Sequence, residues 1–321
     1  MASIVQSACQ YRVTIRLPRN CSAYLTFDLS DARSLSTVIK VLVTGGSGRI
    51  GRYVVRELVQ SGHEVTSADL VYERLPGAQS LQVDLTEAGQ AYQALAHSRA
   101  TAVVHLAAWA RGGQVPEART FGDNVQGTFN VLQACADLGV RRVIFASTHH
   151  VYGVMAAPPL YVPIDEAHPL RPADAYALSK VVGERAAAYF VDRFGLEILC
   201  FRFQGVRPPS QLDTDVERAA RDPSERPHLL WTRLDARDAA VYCRLALETE
   251  TVEPGPYNVA GQRVVLEQDS AELVRRYFGA QVQIREGLSA RLSPLSCARV
   301  EQAFGYRPRY NWSVNQRYPE E

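Results

Sequence analysis

Val41-Leu-Val-Thr-Gly45-Gly-Ser-Gly48-Arg-Ile-Gly51 is an apolar run leading into spaced glycines. It reads as a strand, a tight turn and a helix start, in that order. Gly45 permits the turn, Gly48 lets the backbone approach a pyrophosphate, and Gly51 lets the helix pack closely on the strand. The helix start adds backbone N–H groups and a positive dipole end, so a phosphate fits there. A purely structural turn is the plainer alternative, and the residues downstream decide between the two.

Working outward, the chain from Val38 alternates short β-branched apolar runs with longer amphipathic segments. Strands are expected at Ile39–Thr44, Glu64–Ala68, Ser80–Val83, Ala102–Leu106, Arg142–Ala146 and Glu197–Arg202. Helices are expected at Arg49–Ser61, Glu87–Ala96, Gly122–Leu138 and Ala175–Phe194, with Gly62, Gly139 and Gly195 placed as C-terminal glycines. Such βαβ units form a buried parallel sheet, so the expected fold is α/β: a Rossmann doubly wound sheet with a smaller C-terminal substrate lobe.

This organisation divides the chain at residues 1–37, 38–203 and 204–321. The first part is an extension of different texture, whose alternating run from Tyr11 to Leu17 reads either as an extra strand or as part of a loose tail. The functional chain is as readily begun near Val38. The second part is the dinucleotide-binding domain, to which later segments return. The third is mainly the substrate lobe. In it the Pro-, Arg- and Asp-rich stretch from Arg207 to Pro227 reads as a long surface loop. Helix Ala236–Leu247, strand Tyr257–Val259 and helix Ser270–Phe278 are assigned to the lobe.

Composition narrows the class of partner. The 321 residues carry 35 basic and 34 acidic side chains, interspersed to a net charge of +1, which offers no electrostatic footprint for nucleic acid. The six cysteines are scattered, without a metal-ligand spacing, so no metal is expected. No apolar run approaches a bilayer-spanning length and no signal core opens the chain. The expectation is a cytoplasmic protein with a small-molecule partner and no membrane contact.

Chemistry collects at the strand ends. Asp69 closes the second strand about 20 residues beyond the glycines, where a carboxylate accepts hydrogen bonds from ribose hydroxyls and repels a 2′-phosphate. This favours NAD over NADP, with Arg49 and Arg74 as partial compensation. Asp84 ends the third strand, facing an adenine amino group or serving as a helix cap. Tyr176-Ala-Leu-Ser-Lys180 sets a phenol and an ammonium one turn apart on one helix face. A phenol ionises near pH 10, so a cation beside it brings a phenolate within reach. Ser147 and Thr148 end another strand, where hydroxyls meet a substrate alcohol or carbonyl, or simply cap the strand.

Taken together, Thr-Gly-Gly-x-Gly-x-x-Gly, Val104-His-Leu-Ala-Ala108, Asn124-x-x-Gly127-Thr128, the Ser/Thr-rich strand end and Tyr-x-x-x-Lys resemble the motif set of extended short-chain dehydrogenases. The likeness is to the NAD-dependent epimerase/dehydratase family, and it runs through Trp231–Asp238 to Phe304-Gly-Tyr-Arg-Pro308. It implies that Gly45, Ser47, Gly48, Arg49, Ile50 and Gly51 bind the pyrophosphate of NAD. Asp69, Asp84, Leu85, Leu106, Ala107, Ala108, Asn124, Ser147 and Phe203 line the cofactor groove. Tyr176 is the implied acid/base, Lys180 holds the nicotinamide ribose and depresses the tyrosine pKa, and Thr148 is the catalytic hydroxyl. The two long helices resemble the pair that builds a four-helix homodimer interface in that group.

One departure bears on the reaction. The Asp-Glu pair that follows the catalytic hydroxyl in sugar-nucleotide dehydratases is His149-His150 here, which disfavours dehydration. An epimerase of a sugar or nucleotide-sugar, or a sugar dehydrogenase, remains. His150 is similar to a histidine of uronate dehydrogenases, which oxidise a free sugar acid. Arg111, Arg202, Arg207 and Arg233 are candidate ligands for a carboxylate or diphosphate, with His150 and Arg111 the substrate residues of choice. A dinucleotide-binding protein without catalysis is the remaining alternative.

Overall fold

The computed structural model describes residues 12–16, 24–28, 38–110 and 113–320. Arg111 lies outside them. Two units are present, 1–38 and 39–321. The first holds strands β1 (Arg12–Arg16) and β2 (Tyr24–Asp28), antiparallel with Arg12 opposite Asp28. The alternating run therefore contains a strand, paired with a second that composition did not mark.

In the second unit β3 (Lys40–Thr44), α1 (Gly51–Gln60), β4 (Glu64–Asp69), β5 (Gln79–Gln82), α2 (Ala88–Ser98), β6 (Ala102–His105), α3 (Glu117–Asp137) and β7 (Arg142–Thr148) follow in order. After them come β8 (Tyr161–Val162), α4 (Ala175–Phe194), β9 (Glu197–Phe203), β10 (Val206–Arg207), α5 (Pro209–Arg221), β11 (Leu234–Asp235) and α6 (Ala236–Glu248). The chain closes with β12 (Gly255–Val259), α7 (Ser270–Phe278), β13 (Gln283–Ile284) and α8 (Ala298–Phe304).

Seven parallel strands form the sheet, in the order β12-β9-β7-β6-β3-β4-β5. The order reverses between β3 and β6, and at such a switch point the loops leaving two strands diverge and open a crevice. Side chains alternate along each strand, so one strand feeds two cores. Val41 and Val43 join Tyr53, Val54 and Leu58 of α1 and Tyr242 of α6 on one face. Leu42 joins Val131, Leu132 and Phe190 of α3 and α4 on the other.

Two expectations are corrected. The stretch assigned to a loop contains α5, in which Leu212 and Val216 recur at helical spacing and are buried, with Pro209 at the first position. Its many polar residues occupy the exposed face and masked the periodicity. Strand β12 and helix α6 belong with the sheet rather than the lobe: β12 pairs with β9 along Gly255–Val259, and α6 packs on α1. An edge strand adjacent in space but distant in sequence leaves no local signature.

Candidate active site

The glycine turn is closed by sterics that only glycine satisfies. Gly45 has φ +71°, and a Cβ there would lie 2.6 Å from the backbone nitrogen of Ala107. A Cβ on Gly51 would lie 2.1 Å from the Gly45 carbonyl oxygen, so α1 approaches the turn as closely as backbone permits. No side chain caps α1 and no acid stands in its first turn, which leaves its positive end facing the crevice. The donor set of this cradle fits a pyrophosphate.

Around it opens a cleft of about 1100 Å³. Asp69 lines it and accepts a hydrogen bond from the Ser47 backbone at 3.0 Å, tying the end of β4 to the glycine turn. Asp84 also lines the cleft but does not cap α2. Its Oδ1 accepts from the backbone and the hydroxyl of Thr86, at 2.9 and 2.7 Å. Leu85, Leu106, Ala107, Ala108 and Phe203 complete the groove. Asn124 works on the framework: its Oδ1 accepts from Trp109 N at 2.8 Å, and its Nδ2 donates to Ser179 Oγ at 3.1 Å. Ser179 in turn donates to the Tyr176 carbonyl at 2.7 Å, so Asn124 fixes α4 against the loop after β6.

Helix α4 delivers Tyr176 and Lys180. Asp174 caps it, accepting from Ala177 N at 2.6 Å, which sets the first turn bearing the phenol. The Thr148 hydroxyl accepts from His150 N at 3.2 Å and lines the cleft together with the Tyr176 phenol. Lys180 Nζ stands 5.9 Å from the centre of the Tyr176 ring and 4.9 Å over the Phe145 ring. Burial pulls the Lys180 ammonium down to about 7 and pushes the Tyr176 phenol up to about 12. For Tyr176 burial outweighs the Arg49 charge that lowers it, so the phenol stands above its ordinary value in the protein alone.

The far end of the cleft holds imidazoles. His149 is buried, its Nδ1 donates to the Phe203 carbonyl at 3.3 Å, and its Nε2 has no partner among the described residues. The Nδ1 of His150 is equally unpartnered, and its ring lies 6.0 Å from those of Tyr176 and His228. Burial lowers all three, His228 to about 4, so near neutral pH they act as neutral donors and acceptors. Arg207 and Arg226 line the same end.

Not every expected residue reaches the cleft. Arg202 is buried against Glu184, through Nε–Oε1 at 2.9 Å and Nη2–Oε2 at 2.7 Å, and Arg233 is buried against Asp215. Neither lines the cleft. His228, Arg226 and Glu184 were not singled out from sequence. Glu184 carried a signal in its i+4 spacing from Lys180, whereas His228 reaches His150 through tertiary folding alone. Among the described residues no cluster suits a metal ion, and no helix is long and apolar enough to cross a membrane.

The family model described as NAD dependent epimerase/dehydratase family matches residues 41–260. The chain is similar to a UDP-glucose 4-epimerase of Lactobacillus helveticus, 31% identical over 60% of this chain and 59% of that protein. It is also similar to a uronate dehydrogenase of Pseudomonas syringae pv. tomato, 30% identical over 54% of this chain and 61% of the relative. The matches thus span about three fifths of the length of these relatives. Among solved structures, the UDP-glucose 4-epimerase of Thermus thermophilus in complex with NAD aligns with a TM-score of 0.61 at 25% identity, covering 85% of this chain and 94% of that one.

Proposed function

Because the chain belongs to the NAD dependent epimerase/dehydratase family, we propose that it oxidises a secondary hydroxyl of a sugar or nucleotide-sugar, with Tyr176 accepting the hydroxyl proton. The family's cofactor is NAD, which when bound supplies the hydride acceptor. The observation that carries the reading is that Thr148, Tyr176 and Lys180 line one cleft with the glycine cradle, Lys180 Nζ standing 5.9 Å from the Tyr176 ring centre. The Tyr176 phenol takes the proton as its own passes to solvent, Thr148 orients the substrate oxygen, and Lys180 holds positive charge beneath the ring. Gly45, Gly48 and Gly51 with Ser47 would hold the pyrophosphate, and Asp69 the adenosine ribose.

Epimerisation would follow if the keto sugar were reduced again on its other face, and net dehydrogenation if the keto product were released instead. The dehydrogenase of a free sugar acid is the second reading. It is favoured by the unpartnered His150 nitrogen in the cleft, with Arg207 and Arg226 lining the same cleft while held at 3.8 and 3.5 Å by Asp215 and Glu225. Absorbance at the NADH band, with NAD and a panel of uronates, free sugars and UDP-sugars, separates these. NADH from one sugar supports a dehydrogenase, and conversion of a UDP-sugar without NADH supports an epimerase. No change in any sugar overturns both.

We infer that the protein is a homodimer through α3 and α4. Phe129, Leu178, Tyr189 and Phe194 on this helix pair are large apolar side chains 42 to 51% exposed, surface that such an interface would cover.

A further inference from the structure

Glu184 stands one turn beyond Lys180 on α4, and both side chains reach β7. Its Oε1 accepts from Ser147 Oγ at 2.5 Å and from Arg202 Nε at 2.9 Å, and its Oε2 from Arg202 Nη2 at 2.7 Å. Arg202 Nη1 also donates to the Tyr152 hydroxyl at 2.9 Å and to the Glu166 carbonyl at 3.1 Å. Tyr152 donates to Asn258 Oδ1 at 2.6 Å, and Glu166 Oε1 accepts from Asn258 N at 2.7 Å. This chain of bonds ties α4 to β7, β9 and β12 and leaves the Glu184 carboxylate no freedom to turn. Glu184 and Arg202 keep 9 and 4% of their side-chain surface exposed. A buried ion pair seldom stabilises a fold more than apolar residues of the same volume would, so packing alone does not account for it.

The groups facing Lys180 can be named element by element. On α4 they are Tyr176 and Glu184, from β6 His105, from β7 Phe145 and from β9 Cys200. His105 bonds Thr44 and Thr128, and burial lowers it to about 3, so it is neutral. Burial likewise keeps the Cys200 thiol protonated and Tyr176 a neutral phenol. Among these groups Glu184, one helical turn away, is the carboxylate that acts on the ammonium, with the Arg202 guanidinium of β9 bonded to it.

We propose that Glu184 is a positioning residue: clamped by Arg202, it holds the Ser147 hydroxyl at the end of β7 and sets its carboxylate one helical turn from Lys180, favouring the ammonium inside the cleft. This deepens the proposed reaction and rests on its assignment of a charged Lys180.

The chain has two lysines, Lys40 and Lys180, which makes the test direct. The full chain carrying 13C-labelled lysine gives two side-chain NMR signals, and Lys40→Arg assigns them. In Glu184→Gln the Lys180 titration midpoint is expected to move to lower pH by about 1 pH unit, the scale of a partly screened charge one turn away. The alkaline limb of NAD-linked turnover should move with it, at nearly unchanged KM. An unmoved midpoint in the folded variant overturns the proposal. The double variant Glu184→Gln with Arg202→Met removes the guanidinium that Glu184→Gln alone leaves unpaired; its midpoint is expected to move the same way, and an unmoved midpoint there also overturns the proposal. The NMR midpoint does not depend on turnover. Failure of the Tyr176 mechanism, seen as full activity in Tyr176→Phe, is therefore distinguishable from failure of the Glu184 role.

Discussion

The Gly45 carbonyl oxygen stands 2.1 Å from where a Gly51 Cβ would be, so the first turn of α1 rests directly on the turn that precedes it. Backbone meets backbone at this point, and no rotamer change relieves an added methyl. Gly51→Ala should destabilise the chain by about 1–3 kcal/mol, the usual cost of overpacking. It should also weaken NAD binding, since the displaced helix end no longer aims at the pyrophosphate. Thermal unfolding with and without NAD checks both effects; an unchanged Tm shift on adding NAD would separate the cradle from cofactor binding.

Tyr176→Phe removes the proton acceptor and keeps the ring over Lys180. Turnover should fall by roughly 10²–10⁴-fold, the usual contribution of a positioned acid/base, while NAD affinity changes little. Steady-state rates on the substrate found by the sugar panel, beside an NAD titration, give the comparison. Full activity would remove Tyr176 from the mechanism.

Lys180 has an ordinary value of 10.5 and is held at about 7 in the folded chain. Below pH 7 both folded and unfolded states carry the proton, and the cost of burying the ammonium is fully present. Between pH 7 and 10.5 the folded chain releases its proton first, so stability from this group rises with pH. Tyr176 runs the other way at higher pH: its raised value keeps a contribution that is complete below 10 and lost towards 12. Without NAD, the Tm of the native protein should therefore gain on that of Lys180→Met between pH 7 and 10. A constant difference across that range would mean that the amine is not desolvated.

Phe129 and Tyr189 are exposed on α3 and α4. If these helices form a homodimer, light scattering at micromolar concentration should give twice the chain mass. Replacing both residues by glutamate should give the monomer with the fold retained by circular dichroism. A monomeric mass for the native protein removes the dimer.

Much of the site was legible because its chemistry is local. The glycine spacing, the four-residue step from Tyr176 to Lys180 and the acid ending β4 depend on turns, helical pitch and strand ends, which neighbouring residues dictate. Arg202 and Arg233 illustrate the opposite case. From sequence each is a cation free to bind an anion, and in the fold each is consumed by a carboxylate from a distant helix.

The doubly wound sheet, the cradle and the phenol–amine pair follow from local pattern, because hydrophobic period and backbone sterics act over a few residues. Tertiary structure decided the rest. It brought β12 to the sheet edge, set His228 against His150, and placed Lys180 where desolvation outweighs its charge. Burial, partner distance and dielectric depend on residues far along the chain, and no local pattern records them.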